Sequence, residues 1–237
     1  MDSIKNTFLP VWDCATRLFH WTLVTSIVGL YLTGDIGGFD IHAPSFGLFI
    51  TNMDLHLTFG TLVLVLLVFR LFWGISGSST AQFKNFVQGP RAVSTYVHAI
   101  LAGETPRFIG HNPAGALMVL ALIGCLLLQA GSGLFTNDDL FFEGPLFNYV
   151  SKDTSDTLTG LHHSLFDILS ILVVMHIFAA LFYRIRGENL ITPMITGSKP
   201  TADIPDDQPA PLMAPQSRAL LCLITAALIV WGGLFFA

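Results

Sequence analysis

Five apolar stretches, Leu18 to Thr33, Leu55 to Gly74, Ala114 to Phe135, Leu161 to Tyr183 and Ala219 to Phe236, each come near the roughly 20 residues that cross a bilayer as a helix. Inside lipid a backbone has no water to bond to, so such segments must satisfy their own N–H and C=O groups as helices. Composition agrees, with 52% of the 237 residues hydrophobic and 11% charged. The sequence therefore predicts an all-α integral membrane protein. The first stretch reads as a retained helix rather than a cleaved leader, because Trp12, Asp13, Arg17 and His20 precede or open it and no small-x-small site follows. Cys14, Cys125 and Cys222 stand too far apart for a disulfide framework, a zinc site or a c-type haem attachment. No nucleic-acid partner is expected.

Basic residues set the expected orientation. With the N-terminus inside, ten of the eleven Lys and Arg residues fall on the inner side, and only Lys152 falls outside. The N-terminus is thus expected in the cytoplasm, and five spans put the C-terminus in the periplasm. The outer loops carry Asp35, Asp40, Asp54, Asp138, Asp139, Glu143, Asp153 and Asp156, which makes that face acidic.

Between the second and third spans, Gly89-Pro90 opens and Gly103 closes a mixed apolar and polar run, the pattern of a helix lying on the membrane surface. His111-Asn112-Pro113 precedes the third span, with Asn placed to cap and Pro to fit the first turn. The Pro- and Asp-rich segment Lys199 to Gln216 lacks hydrophobic periodicity and reads as a linker that tethers the last span loosely. Trp12, Trp21 and Trp73 fall where an inner interfacial belt is expected.

His162 and His176 are fourteen residues apart in one span, so their imidazoles fall within about 40° of each other and roughly 21 Å apart along the helix. Ionisable side chains in lipid are costly and mark a specific partner. By span direction, His20 matches His176 in depth and His56 matches His162. Two depth-matched pairs on facing helices suit bis-imidazole ligation of two haems. His163 competes with His162 but is rotated by about 140° from His176. Gly29, Gly34 and Gly60 lie near these histidines and leave room for a flat macrocycle. Arg17 and Arg70 are candidates to pair with propionates, against ordinary positive-inside anchoring. Asp167 is the one carboxylate inside a span, a candidate for a proton path, a quinone site or support of a ligand. His42, His98 and His111 read as solvated loop residues.

Val11-Trp12-Asp13 with Arg17-Leu18-Phe19-His20-Trp21, the His56 helix ending near Arg70, Gly110-His111-Asn112-Pro113, and the His162 to His176 spacing together resemble the bacterial cytochrome b561 and nickel-iron hydrogenase b-type cytochrome family. The resemblance covers roughly residues 8 to 197. It implies a four-helix transmembrane bundle carrying two b haems on His20, His56, His162 and His176, followed here by a linker over 198–217 and an additional helix over 218–237. It further implies electron transfer between membrane quinone and a periplasmic redox partner, in the bacterial inner membrane, by an electron-transfer subunit of a respiratory oxidoreductase rather than a stand-alone enzyme. That partner would be a c-type cytochrome or a hydrogenase-like oxidoreductase; the segment Gly131 to Val150, with Asn137-Asp138-Asp139 and Gly144-Pro145, is more similar to the branch associated with c-type cytochromes. The chain would act as a homo-oligomer or as a complex subunit. An alternative within the resemblance is a superoxide:quinone oxidoreductase, which the acidic outer face disfavours because superoxide is an anion. An alternative of another class is a non-haem metal transporter or a structural anchor.

Overall fold

In the computed structural model, residues 8–235 are described, apart from 44, 46, 105, 202, 203, 206 and 207. Asp13 sets the start of the first long helix: its Oδ1 accepts from the Thr16 N–H at 2.6 Å, and α1 runs over Cys14–Tyr31. A short π-helical turn, Leu32–Ile36, closes it. Strands β1 (Phe8–Pro10), β2 (Ile41–Ala43), β3 (Leu48–Ile50) and β4 (Ser198–Pro200) are brief additions to a helical chain. The remaining helices are α2 (Asn52–Ser76), α3 (Phe83–Phe86), α4 (Pro90–Leu101), α5 (Pro113–Gly133), α6 (Lys152–Ile185), α7 (Ile191–Thr196) and α8 (Gln216–Phe235).

Helices α2, α5, α6 and α8 are long and apolar enough to cross a membrane. The chain is therefore a multi-pass, mostly helical membrane protein. The helix expected at Leu18 to Thr33 forms as α1, but Arg17, His20 and several hydroxyl side chains make it less apolar than these four. Helix α6 begins nine residues before the expected Leu161, since Ser151 accepts from the Thr154 N–H at 3.3 Å and Asp153 sits in the first turn.

The chain divides into two compact units. One comprises Met1–Leu18, Leu71–Leu122 and Ser170–Cys222. Here β1 pairs antiparallel with β4, placing Leu9 opposite Lys199. The Val11 and Trp12 N–H groups both donate to the Gly197 carbonyl, at 2.8 and 3.0 Å. Gly197 has φ +92° and lies so close to the Trp12 carbonyl that a Cβ would sit 2.9 Å from it, so glycine is required there. Val11, Trp12 and Ile109 form the buried cluster under this corner. Trp73 is 1% exposed and its Nε1 donates to Thr16 Oγ1 at 3.1 Å. Trp12 and Trp73 are thus core residues rather than an interfacial belt, because the polar edge of Trp73 finds its partner inside the protein. Helix α4 forms where the surface helix was expected, with Gly89 before Pro90 and Tyr96 turned inward. The Asn112 cap forms too, its Oδ1 accepting from the Gly115 N–H at 2.7 Å.

The expected loose linker is stitched down. Gln208 Oε1 accepts from the Ile109 N–H at 3.0 Å, Ser79 Oγ from the Leu212 N–H at 2.9 Å, and Ser78 Oγ from the Ala214 N–H at 2.9 Å. Arg218 caps the Ser76 carbonyl at 2.9 Å. Low hydrophobicity made this segment look free, whereas the Leu212 and Ala214 N–H groups are tied to Ser79 and Ser78.

The other unit comprises Phe19–Arg70, Ile123–Leu169 and Leu223–Ala237. Its core includes Val63, Leu66, Leu67 and Phe69 of α2, Cys125 and Leu126 of α5, and Leu165 and Leu169 of α6.

Candidate haem-ligand site

Within the second unit, α2 presents His56 in its second turn and α6 presents His162 about three turns in. The two imidazole centroids lie 6.4 Å apart with an interplanar angle of 73°. Two metal–nitrogen bonds of about 2 Å and two half-rings of about 1 Å span about 6 Å, so the separation leaves room for one metal ion between the two rings. The depth match of His56 with His162 is thus a contact in three dimensions.

Both rings are held by the same nitrogen. Thr33 Oγ1 donates to the Gly29 carbonyl at 2.7 Å, so toward His56 Nδ1, 3.1 Å away, it accepts, and Nδ1 carries the proton. His162 Nδ1 lies 2.9 Å from the Gln129 carbonyl, which only accepts, so this Nδ1 is protonated as well. Ser132 Oγ stands 3.4 Å from the same nitrogen. Each histidine therefore keeps a basic Nε2, the form in which imidazole binds iron, with its orientation fixed by a partner behind it.

Each ring also lies against a glycine. A Cβ on Gly34 would stand 2.8 Å from His56 Cε1, and a Cβ on Gly133 would stand 2.8 Å from His162 Cε1. Gly29 serves differently, giving space to the Phe59 ring, and Gly60 is in ordinary contact with Leu30. The Gln129 amide nitrogen lies 3.2 Å from His162 Nε2, while Gln129 Oε1 is buried without a hydrogen bond among the described residues. An amide bound at one end only can yield that position to a metal. The donor set, the fixed tautomers and the glycine contacts fit a haem iron.

The other predicted residues are placed as follows. His20 is half-buried on α1, edge-on to Trp21 at 5.0 Å, and His176 is half-buried on α6; they belong to different units. Arg70 is 3% exposed on α2. Arg17 Nη1 donates to the Ile195 carbonyl at 2.6 Å, and its Nε is buried without a hydrogen bond among the described residues. His163 and Asp167 are exposed on α6. His42 and His98 are exposed as expected, but His111 is not a solvated residue: it lies edge-on to Trp12 at 4.8 Å and against Phe86 at 4.5 Å. It is half-buried beside Trp12 of the β1–β4 corner. Thr33, Gln129, Ser132 and Gly133 escaped the sequence reading. The lone amide of α5 was the one visible signal, since Gln is costly in an apolar span without a partner. Among the described residues, no three or more His, Cys, Asp or Glu side chains gather into a site for a metal ion, so the two imidazoles stand as a pair.

A pair of facing imidazoles in a multi-pass helical chain fits the class of membrane b-type cytochromes. The family model for prokaryotic cytochrome b561 matches residues 11–197, and the chain belongs to that family. It is a membrane cytochrome b that uses b-type haem in electron transfer. It is also similar to two proteins described as probable Ni/Fe-hydrogenase B-type cytochrome subunits. That of Rhizobium leguminosarum bv. viciae is 24% identical over 83% of this chain and 91% of its own length. That of Rhodobacter capsulatus is 23% identical over 86% of each.

Proposed function

We propose that this protein binds two b haems and carries electrons across the bacterial inner membrane between quinone and a periplasmic redox partner, as a subunit of a larger oxidoreductase. The observation that carries the reading is the 6.4 Å pairing of His56 and His162 with both Nδ1 atoms engaged. His20 and His176, matched in depth by their places in the sequence, serve as the second pair, with Arg17 and Arg70 toward the propionates. The haem domain spans 8–197, followed by the linker 198–217 and the additional helix 218–237. Bound b haem supplies reversible one-electron chemistry, and two imidazole ligands leave iron no open position for oxygen binding.

The chain's own residues do the positioning. Thr33 and the Gln129 carbonyl hold the imidazoles in the ligating tautomer, and Gly34 and Gly133 leave the space that the Cε1 edges of the rings occupy. On the face read as periplasmic, Lys152 is taken up by Asp139 and Asp156. Asp138 Oδ1 accepts the N–H groups of Leu140, Phe141 and Phe142, and backbone donors of Phe142 and Leu140 hold this carboxyl below the usual carboxylate range. That face stays acidic and suits a basic partner such as a c-type cytochrome, since complementary charge speeds encounter. The relatives' description as hydrogenase subunits supports a complex subunit and leaves a hydrogenase-like oxidoreductase as the other partner class.

Reduced-minus-oxidised visible spectra with a pyridine haemochrome assay test the reading. Two b haems per chain, falling to about one in His20→Leu, are expected. No haem in folded protein made with ample haem supply would sink it.

A further inference from the structure

Helix α6 ends at Ile185, just past the apolar stretch that stops at Tyr183, and the residues that follow, Gly187, Glu188 and Asn189, line a cavity of about 510 Å³ within the first unit. That volume is in the range of small-ligand sites. Four residues beyond the apolar stretch correspond to about 6 Å of helix rise, which is the depth of the head-group layer of a bilayer. Phe8 of β1, Pro193 of α7 and Pro200 of β4 give the cavity apolar walls.

Its polar lining is short of an anion. Lys199 is 4% exposed, and its Nζ donates to the Phe108 carbonyl at 3.0 Å and to Glu188 Oε1 at 3.4 Å. An ammonium carries three N–H donors, so one is unused among the described residues. The Ser198 hydroxyl, also on the lining, makes no hydrogen bond among the described residues. Glu188 is the one described carboxylate of the lining and is engaged by Lys199, so Arg107, exposed at the cavity, leaves a surplus of one positive charge. Arg184 and Arg186, exposed immediately before Gly187, add to the attraction for an anionic membrane surface. A buried ammonium with an unused donor, a hydroxyl and a single surplus cation match a singly charged oxyanion with two free oxygens. A phosphodiester is such a group, and the apolar walls suit the glycerol carbons on either side of it. A zwitterionic head group brings a cation of its own, for which the lining holds no unengaged carboxylate among the described residues.

We infer that this cavity binds the phosphodiester of one anionic phospholipid, of the phosphatidylglycerol class, and so fastens the β1–β4 corner to the membrane surface. The inference rests on α6 as a membrane span and uses no haem ligand, so its failure leaves the haem reading as it stands.

The test is native mass spectrometry of the delipidated full chain in detergent, titrated with phosphatidylglycerol or with phosphatidylcholine. The first phosphatidylglycerol is expected to bind about tenfold or more tightly than phosphatidylcholine. Arg107→Ala and Lys199→Met should each weaken that first lipid by about tenfold, in line with loss of one charge-assisted contact. Arg91→Ala, which removes a cation of α4 that is not on the lining, should not. Thermal unfolding by circular dichroism checks that each variant is folded, and Arg107→Ala, at an exposed position, decides the matter should Lys199→Met fail to fold. Equal binding of the two lipids, a first lipid indifferent to Arg107→Ala, or its displacement by inorganic phosphate at millimolar concentration would overturn the inference, the last by assigning the cavity to free phosphate.

Discussion

His111 and the His56–His162 pair are all half-buried, in different units, yet their surroundings differ in kind. His111 packs its ring against Trp12 at 4.8 Å and Phe86 at 4.5 Å. His56 and His162 meet each other, each with Nδ1 engaged from behind and Cε1 against a glycine. Burial alone therefore does not mark the proposed ligand histidines; a facing second imidazole with both Nδ1 atoms engaged does.

The largest test of that contrast is His56→Leu, which should remove one of the two haems, about half of the haem measured by pyridine haemochrome, whereas His111→Leu should leave the ratio unchanged. Next comes Gly133→Ala. Its new Cβ would stand 2.8 Å from His162 Cε1 and tilt the ring, so haem at that site should dissociate roughly 10- to 100-fold more readily, as read by transfer to apomyoglobin. Thr33→Val keeps the shape but removes the acceptor behind His56 Nδ1, and a loss of about tenfold is expected in the same assay. On the other side of the contrast, His111→Leu should cost about 1 to 2 kcal/mol of stability through lost ring contacts, seen as a lower Tm at constant haem content.

The smallest effect concerns the loop at Asp138. Its carboxyl is held below the usual range by backbone donors, so the ordering it provides is complete above the ordinary carboxylate pKa of about 4 and is lost as pH falls through the lower folded value. Hydrogen exchange at Leu140, Phe141 and Phe142 should accelerate, beyond the intrinsic pH dependence, only on that acid side. Asp138→Asn should abolish the pH step.

Features set by local spacing were legible in the sequence. The apolar stretches gave the helices, Asn112 the cap of α5, Gly89-Pro90 the start of α4, and the fourteen-residue histidine interval the shared face of α6. What escaped depends on chain segments far apart in sequence. Thr33 reaches His56 across 23 residues and the Gln129 carbonyl reaches His162 across 33. Strands β1 and β4 are three residues each and contain prolines, so no periodicity announced them. Trp12 and Trp73 were misplaced for a related reason: an aromatic near a membrane end reads as a belt until Trp12 is seen buried with Val11 and Ile109 and Thr16 is seen to accept the Trp73 N–H.

The central claim is that His56 and His162 ligate one iron. Near-infrared magnetic circular dichroism of the ferric protein, with His162→Met beside wild type, tests it most directly. Wild type should show only bis-imidazole haem, and the variant should convert one of the two to histidine–methionine ligation. A His162→Met protein that retains both haems as bis-imidazole would contradict the assignment.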